Sequence, residues 1–388
     1  MAARPLFFSR WLVSAMLAAL TLVGSASAQT PAYSSAARHV AIMDGDTGLL
    51  LHCQNCEQPM APASMSKMMT ALIVMEALAA GRITENTRFR VSERAWRLGA
   101  MSDGSHMFLA LNSEVRVGDL LRGMMIVSAN DACIVLAEGI AGSEEAFVDL
   151  MNRRARELGL TSARFRNTTG LPDPDHLISA ADLARLARQI INRFPQHYRL
   201  YAERSFAYNN RTQENRNPLL GLFPGADGVK TGHTAAAGYS LVGSALLNNQ
   251  RRVIVFDGME TMAARRAEAE RLMRAAFYDF RLLRLYEAGA QVGEARVWLG
   301  GRARAPLITE RAIILPTTGA ALAGLTARIE YLGPVTAPIR RGQRIASLVV
   351  EGPNFPRRSY ALVSGRNIGR ANWFVRAWVG LIDLISPS

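Results

Sequence analysis

At 388 residues the chain is too long for one ordinary domain and predicts two. Hydrophobic residues make up 49% and charged residues 20%, which supports a sizeable core and excludes a disordered chain. The net charge of +13 attracts polyanions. However, the arginines are spread along the chain and no helix-turn-helix, zinc-finger or RNA-recognition signature accompanies them, so nucleic-acid binding is not expected.

In chain order, Arg4 and Arg10 precede an apolar run from Trp11 to Val23, and Ala26-Ser27-Ala28 offers a small-residue cleavage site before Gln29. Those are the three parts of a secretory signal peptide over 1–28; a retained anchor is the alternative, but the run is short for a span. Val40–Met43 and Leu49–His52 flank the turn Asp44-Gly45-Asp46-Thr47-Gly48 and read as two strands. Cys53-Gln54-Asn55-Cys56 has no second CxxC and no histidine cluster, so it reads as a local disulfide or two idle thiols. Cys133 reads as a buried small hydrophobe. No metal and no cofactor are expected.

Pro62 suits the opening of a helix, and Met65, Met68, Met69, Leu72, Ile73, Met75 and Leu78 make that helix apolar on most of its circumference, hence buried and central, closing near Gly81. Ser64 and Lys67 lie three apart on it and face the same way. A serine hydroxyl needs a base to become a nucleophile, and a desolvated lysine can be one. The chain contains only two lysines, Lys67 and Lys230. Every other strong cation is arginine, which cannot be deprotonated in a protein. A loop-rich stretch with short strands leads to Gly104–Leu109.

Further helices are predicted from Val117, from Ser128-Ala129-Asn130-Asp131 with those polar residues as caps, over 144–158, and over 179–193 with Ser179 as cap. Asn167–Asp173 is a loop. From Val229 the chain reads as strands through Phe256, and a last helix spans roughly 263–286, with Arg265 on its solvent face. The end strands of this first domain must meet in one sheet, with the helices filling one side. After 286, short apolar runs separated by Gly, Pro and polar turns predict a small all-β domain. Residues 371–388 form a helix with Asn372, Arg376, Gly380 and Asp383 on one narrow face and Trp373, Phe374, Trp378, Leu381 and Leu384 over the rest. It suits a membrane interface and is too short to span comfortably; docking on the β domain is the alternative.

Three short motifs follow one another: Ser64-x-x-Lys67, Ser128-Ala129-Asn130 and Lys230-Thr231-Gly232. Taken singly, each has an ordinary reading as a helix start, a cap or a strand end. As an ordered set they resemble the active site of penicillin-binding proteins and serine β-lactamases. The flanking Pro62-Ala63, Asp131-Ala132, Asp227-Gly228-Val229 and His233-Thr234, with Ala237-Gly238-Tyr239, narrow the likeness to low-molecular-weight D-alanyl-D-alanine carboxypeptidases. The resemblance covers roughly residues 36–285 by motif.

That likeness implies an α/β (α+β) transpeptidase-type fold of the β-lactamase and penicillin-binding-protein kind, an antiparallel sheet with helices on both sides, plus the small all-β C-terminal domain. It divides the chain into a catalytic domain over 29–286, a β-rich domain over 287–370 and a membrane-associating helix over 371–388. It implies Ser64, Lys67 and Ser128 as catalytic residues, and Asn130, Lys230, Thr231, Gly232 and His233 as substrate-binding ones, His233 through its backbone N–H rather than its ring; assisting the substrate carboxylate is the alternative for Arg265 to a place on the solvent face. The expected partners are a peptidoglycan stem peptide ending in D-Ala-D-Ala, β-lactams as covalent inhibitors and the inner-membrane surface. The expected location is periplasmic, peripherally attached to that membrane. Arg164 to Leu171 contains no acid, unlike the Glu-x-x-x-Asn loop of class A β-lactamases, so fast hydrolysis of a penicilloyl-enzyme is not expected.

Overall fold

The computed structural model describes residues 33–373 apart from 102–103, 323 and 354. These residues divide into two compact units, one of Tyr33–Asp279 and one from Phe280 onward.

The first unit is built on a five-stranded sheet of β1 (Val40–Asp44), β2 (Leu50–Gln54), β3 (Ala226–Thr234), β4 (Gly238–Leu247) and β5 (Gln250–Met259), in the order β2-β1-β5-β4-β3 and antiparallel throughout. The first and last strands in sequence thus pair directly, Ile42 opposite Ile254. Side chains alternate along a strand. Ala41, Met43, Val253 and Val255 join the large core that also holds the Ser64–Leu78 region, while Ile42, Ile254 and Phe256 bury on the other face.

Both faces are covered by helices. On one, α6 (Ala180–Arg193) packs on β5 and β1; α7 (Met262–Tyr278) packs on β5 and β4. The residue-by-residue expectation of helices on one side therefore gives way to the two-sided arrangement implied by the family. The other helices are α1 (Lys67–Ala79), α2 (Glu93–Met101), α3 (Val117–Ile126), α4 (Asn130–Ala141) and α5 (Glu144–Glu157). Ten of the thirteen residues of α1 are buried, so it is the central helix that its all-round apolarity predicted. Ser179 caps α6 by accepting from Asp182 N at 3.2 Å.

Two local expectations change. The loop-rich stretch before Gly104 contains α2, whose Ala95 and Leu98 pack on the main core and whose polar side chains add ion pairs: Arg97 to Glu93 one turn back at 2.6 Å, and Arg94 to Glu144 and Glu145 of α5. The last helix ends at Tyr278, and Phe280–Tyr286 is a strand paired with Ile313–Thr318. Its partner lies some thirty residues ahead, beyond the reach of local periodicity. Arg265 is buried rather than solvent-facing.

The second unit is all-β apart from one helical turn at Gly319–Leu322. Its main sheet has six strands, ordered 326–330, 344–352, 355–364, 304–309, 291–298 and 335–336. They enclose a core that includes Leu307, Leu315, Leu348, Val350 and Leu362.

The expected location at the inner membrane, held by a C-terminal amphipathic helix, is corrected. The described C-terminal region is this β domain, no such helix is seen among the described residues, and none of their helices is long and apolar enough to cross a membrane. Residues 374–388 of the expected helix, and the expected leader over 1–28, lie outside the described residues.

Candidate active site

Pro62 opens a 3-10 turn, Ala63–Ser66, that runs into α1. Ala63 takes φ 49°, a left-handed conformation costly for a residue with a Cβ, directly before the half-buried Ser64. Lys67 follows at the start of α1 with 1% of its surface exposed. Its Nζ contacts three oxygens: Ser64 Oγ at 2.9 Å, Asn130 Oδ1 at 2.8 Å and the Thr169 carbonyl. A protonated amine satisfies all three as a donor, while a neutral one can take the Ser64 proton instead. Burial pushes the Lys67 pKa down to about 8, the nearby Cys133 opposing and Arg216 assisting. Arg216 thus adds to the effect of burial, and Lys67 and Lys230 are themselves coupled, each charge disfavouring the other.

The second motif enters at the start of α4. Ser128 is buried with φ 66°, and α4 begins at Asn130 with Ala129 as its cap residue. The predicted capping side chains act elsewhere. Asn130 reaches Lys67, and its N–H donates to Ser105 O at 2.7 Å. The Asp131 carboxylate accepts from Met107 N at 3.0 Å, Leu109 N at 3.3 Å and Ala132 N at 2.9 Å, with burial raising its pKa. Together these bonds pin the 105–109 segment against the site, which nothing in the sequence signalled.

The third motif lies on β3, the edge strand of the sheet. Lys230 and Thr231 are buried, and the Lys230 pKa is held well below its ordinary value by burial first and then by Lys67 and Arg216. Gly232 fits where a side chain would not, since a Cβ there would lie 2.5 Å from Ser240 Oγ and 3.0 Å from Pro62 O. Its smallness thus seats the strand against the turn that carries Ser64. His233 is exposed, with its ring stacked on Tyr239 at 3.9 Å. Arg265, buried on α7, lies over the Tyr239 ring at 5.6 Å and donates to Arg216 O at 3.4 Å. Arg216 is the cation that motif reading did not find, since no local pattern distinguishes it from the other arginines; Arg265, weighed as a carboxylate assistant but read as solvent-facing, is buried beside it.

The loop after α5 supplies the third acceptor for Lys67. Asn167 Oδ1 accepts from Gly170 N at 2.7 Å and from Thr169 N and Oγ1, shaping the loop from inside. Gly170 has φ 79°, and a Cβ on it would fall 1.9 Å from Ala63 O. The buried Glu144 of α5 fixes the loop from behind, its Oε1 accepting from Thr168 N at 3.0 Å and Thr168 Oγ1 at 2.8 Å, while Thr70 of α1 donates to Thr168 O at 2.8 Å. The loop separates two cavities. One of about 830 Å³ is lined by Arg94, Arg97, Leu98, Ile134 and Asn167; one of about 330 Å³ by Pro62, Ala63, Gly170, His176 and Thr234; Leu171 lines both. Among the described residues no group of three or more His, Cys, Asp or Glu side chains is placed to hold a metal ion. Cys53 and Cys56 form a disulfide.

The family model described as D-alanyl-D-alanine carboxypeptidase, peptidase family S11, matches residues 25–260. The chain belongs to that family. The model for the C-terminal domain of penicillin-binding protein 5 matches residues 280–370, the extent of the second unit's sheets. The D-alanyl-D-alanine carboxypeptidase DacA of Haemophilus influenzae is 36% identical over 91% of this chain and 90% of its own. Among solved structures, the carboxypeptidase DacD of Francisella tularensis superposes with a TM-score of 0.77 at 29% identity, covering 92% of this chain and 98% of that one. Penicillin-binding protein D2 of Listeria monocytogenes in its ampicillin-bound form does so at 0.57 and 27% identity, over 64% of this chain and 99% of its own. The fold is thus that of the penicillin-binding proteins and β-lactamases, with an all-β C-terminal domain.

Proposed function

We propose that the chain is a serine-type carboxypeptidase that removes the terminal D-alanine from peptidoglycan stem peptides ending in D-Ala-D-Ala, and that penicillins acylate the same serine. The observation that carries the reading is the triple contact of the buried Lys67 amine with Ser64 Oγ, Asn130 Oδ1 and Thr169 O. Names borne by relatives at 36% identity give the substrate class, and the ampicillin-bound neighbour supports the inhibitor.

Lys67, with a pKa of about 8, takes the proton of Ser64 as its oxygen attacks the carbonyl between the two D-alanines. The acyl group stays on Ser64. The leaving D-alanine takes a proton from the lysine, relayed by the Ser128 hydroxyl. Backbone N–H groups of Ser64 and His233, as the family implies, face the oxyanion, each worth on the order of 3 kcal/mol. Lys230 and Thr231 bind the terminal carboxylate; an entering carboxylate restores the charge that burial disfavours on Lys230. Arg216 and Arg265 add to the positive field there. Asn130 holds the substrate amide as well as Lys67, and Gly232 keeps β3 close enough for the substrate to lie along its edge. Water, activated again by Lys67, hydrolyses the ester.

A β-lactamase of the class A kind uses a free glutamate to activate that water. The acid nearest the 167–171 loop in the contacts above is Glu144, and its oxygens are engaged by Thr168 and Arg94. The test is release of free D-alanine from a peptide ending in D-Ala-D-Ala, together with attachment of labelled penicillin, by the parent and by Ser64→Ala. The parent performs both and the variant neither. Release by Ser64→Ala at the parental rate overturns the assignment.

A further inference from the structure

The charge of this chain is not shared evenly between its two units. Residues 33–279 hold 26 arginines and 2 lysines against 26 acidic residues, nearly balanced. Residues 280–373 hold 14 arginines against 5 glutamates and no aspartate. Four of those glutamates are in ion pairs: Glu287 with Arg284, Glu294 with Arg304, Glu330 with Arg328 and Arg357, and Glu351 with Arg328. The excess positive charge is therefore left on the remaining arginines.

Six of these gather at one end of the β domain. The turn at 300–303, the segment 337–344 and the segment 364–371 are tied edge to edge. Gly301 N donates to Gly369 O at 2.9 Å, Ile339 pairs with Ile368, and Gly342 N donates to Ser364 O at 2.8 Å. They carry Arg302, Arg340, Arg341, Arg344, Arg366 and Arg370, all exposed, with no acidic residue in any of the three segments. Among the described residues no carboxylate pairs with any of the six; Arg344 donates to Ser347 Oγ at 3.3 Å. Their backbone is braced instead: Arg340 N to Gln343 Oε1 at 3.0 Å, Arg341 N to Asn367 Oδ1 at 2.7 Å, and Ser364 Oγ to Arg366 O at 2.7 Å. Mutual repulsion makes such a cluster costly to keep without a counter-charge, and a braced backbone lowers the ordering cost of binding one.

We propose that this arginine face docks the protein on peptidoglycan by binding the free carboxylates of its stem peptides. The inference rests on the carboxypeptidase reading, which makes that polymer the substrate. Guanidinium matches carboxylate as a planar two-donor fork, and each stem peptide of the polymer repeats the ligand. Several weak pairs then add up through effective concentration, and the catalytic unit, joined by the chain, is held among its substrates.

The test is co-sedimentation of the full chain with purified insoluble peptidoglycan. It compares the parent with Arg340→Gln/Arg341→Gln/Arg366→Gln, substitutions at side chains with no carboxylate partner among the described residues. The parent sediments; retention falls by roughly tenfold or more in the triple variant, falls as salt rises, and falls when the stem-peptide carboxylates are first amidated. Soluble polyglutamate displaces the parent, a readout that needs no variant to fold. Equal retention of parent and variant, or retention on amidated peptidoglycan, overturns the proposal. So does binding to vesicles containing phosphatidylglycerol with none to peptidoglycan, which reassigns the face to lipid. Release of D-alanine from a short soluble peptide is the same in parent and variant. Absence of that release in the parent counts against the carboxypeptidase reading, while sedimentation still reads the docking face.

Discussion

Lys67 is where the chemistry and the stability of this protein oppose each other. A pKa lowered from 10.5 to about 8 means that the folded state binds the proton less well than the unfolded chain. The penalty, on the order of 3 kcal/mol, is complete below pH 8 and disappears as pH rises to about 10.5. Stability of the parent relative to Lys67→Met accordingly rises between pH 8 and 10.5, as denaturant midpoints across that window would record; a flat difference would mean that the lysine titrates normally. The acylation rate by labelled penicillin rises through the same pKa, because only the neutral amine accepts the Ser64 proton. Lys67→Arg keeps the charge but cannot shed it, and acylation falls about 100-fold or more. Gly232→Ala is expected to act without touching any charge. Its methyl group needs the space of Ser240 Oγ and Pro62 O, and a displacement near 1 Å between β3 and Ser64 costs about 100-fold in the same assay.

At the scale of elements, the loop 167–171 depends on α5 for its position. Glu144→Ala removes the acceptor for two donors of Thr168 and costs about 1–3 kcal/mol in thermal unfolding. It also releases the Thr169 carbonyl from Lys67 and admits water, so the midpoint of the acylation pH profile moves up from about 8 toward the value of a solvated lysine. Glu144→Gln keeps an acceptor for Thr168 and restores the parental profile. If Glu144→Ala lowers the melting temperature and leaves the profile in place, the residue is structural only. None of this was legible from the loop sequence, where Asn167, Gly170 and Leu171 declared a turn while Glu144 lay twenty-three residues away on another element. The same limit explains α2. This nine-residue helix holds because Ala95 and Leu98 reach the core and Arg94 finds Glu144 and Glu145 of α5, partners remote in sequence.

For the whole molecule, the division at Asp279/Phe280 has a practical consequence. All eight candidate site residues lie in the first unit. We expect a chain ending at Asp279 to retain penicillin acylation and to be more soluble than one ending at Tyr286. The longer truncation carries Phe280–Tyr286 without its partner strand Ile313–Thr318, and an unpaired strand edge invites association. Light scattering of the two truncated proteins at equal concentration tests this. Equal behaviour would show that the strand is protected some other way.

The sequence by itself determined the chemistry: three ordered motifs, two lysines in a chain that otherwise uses arginine, and a central apolar helix that could only be buried. Those are local signals, carried by residue type and spacing. It also determined that helices intervene between strands of one sheet, because hydrophobic period is written along the chain. Tertiary structure alone decided what lay at a distance. It placed helices on both faces of the sheet, brought Thr169, Arg216 and Arg265 to the lysines, turned Asp131 from a helix cap into a clasp for residues 105–109, and tied together three segments that carry six exposed arginines. Each depends on a partner remote in sequence, and desolvation and charge pairing are properties of the assembled surroundings rather than of any stretch of chain.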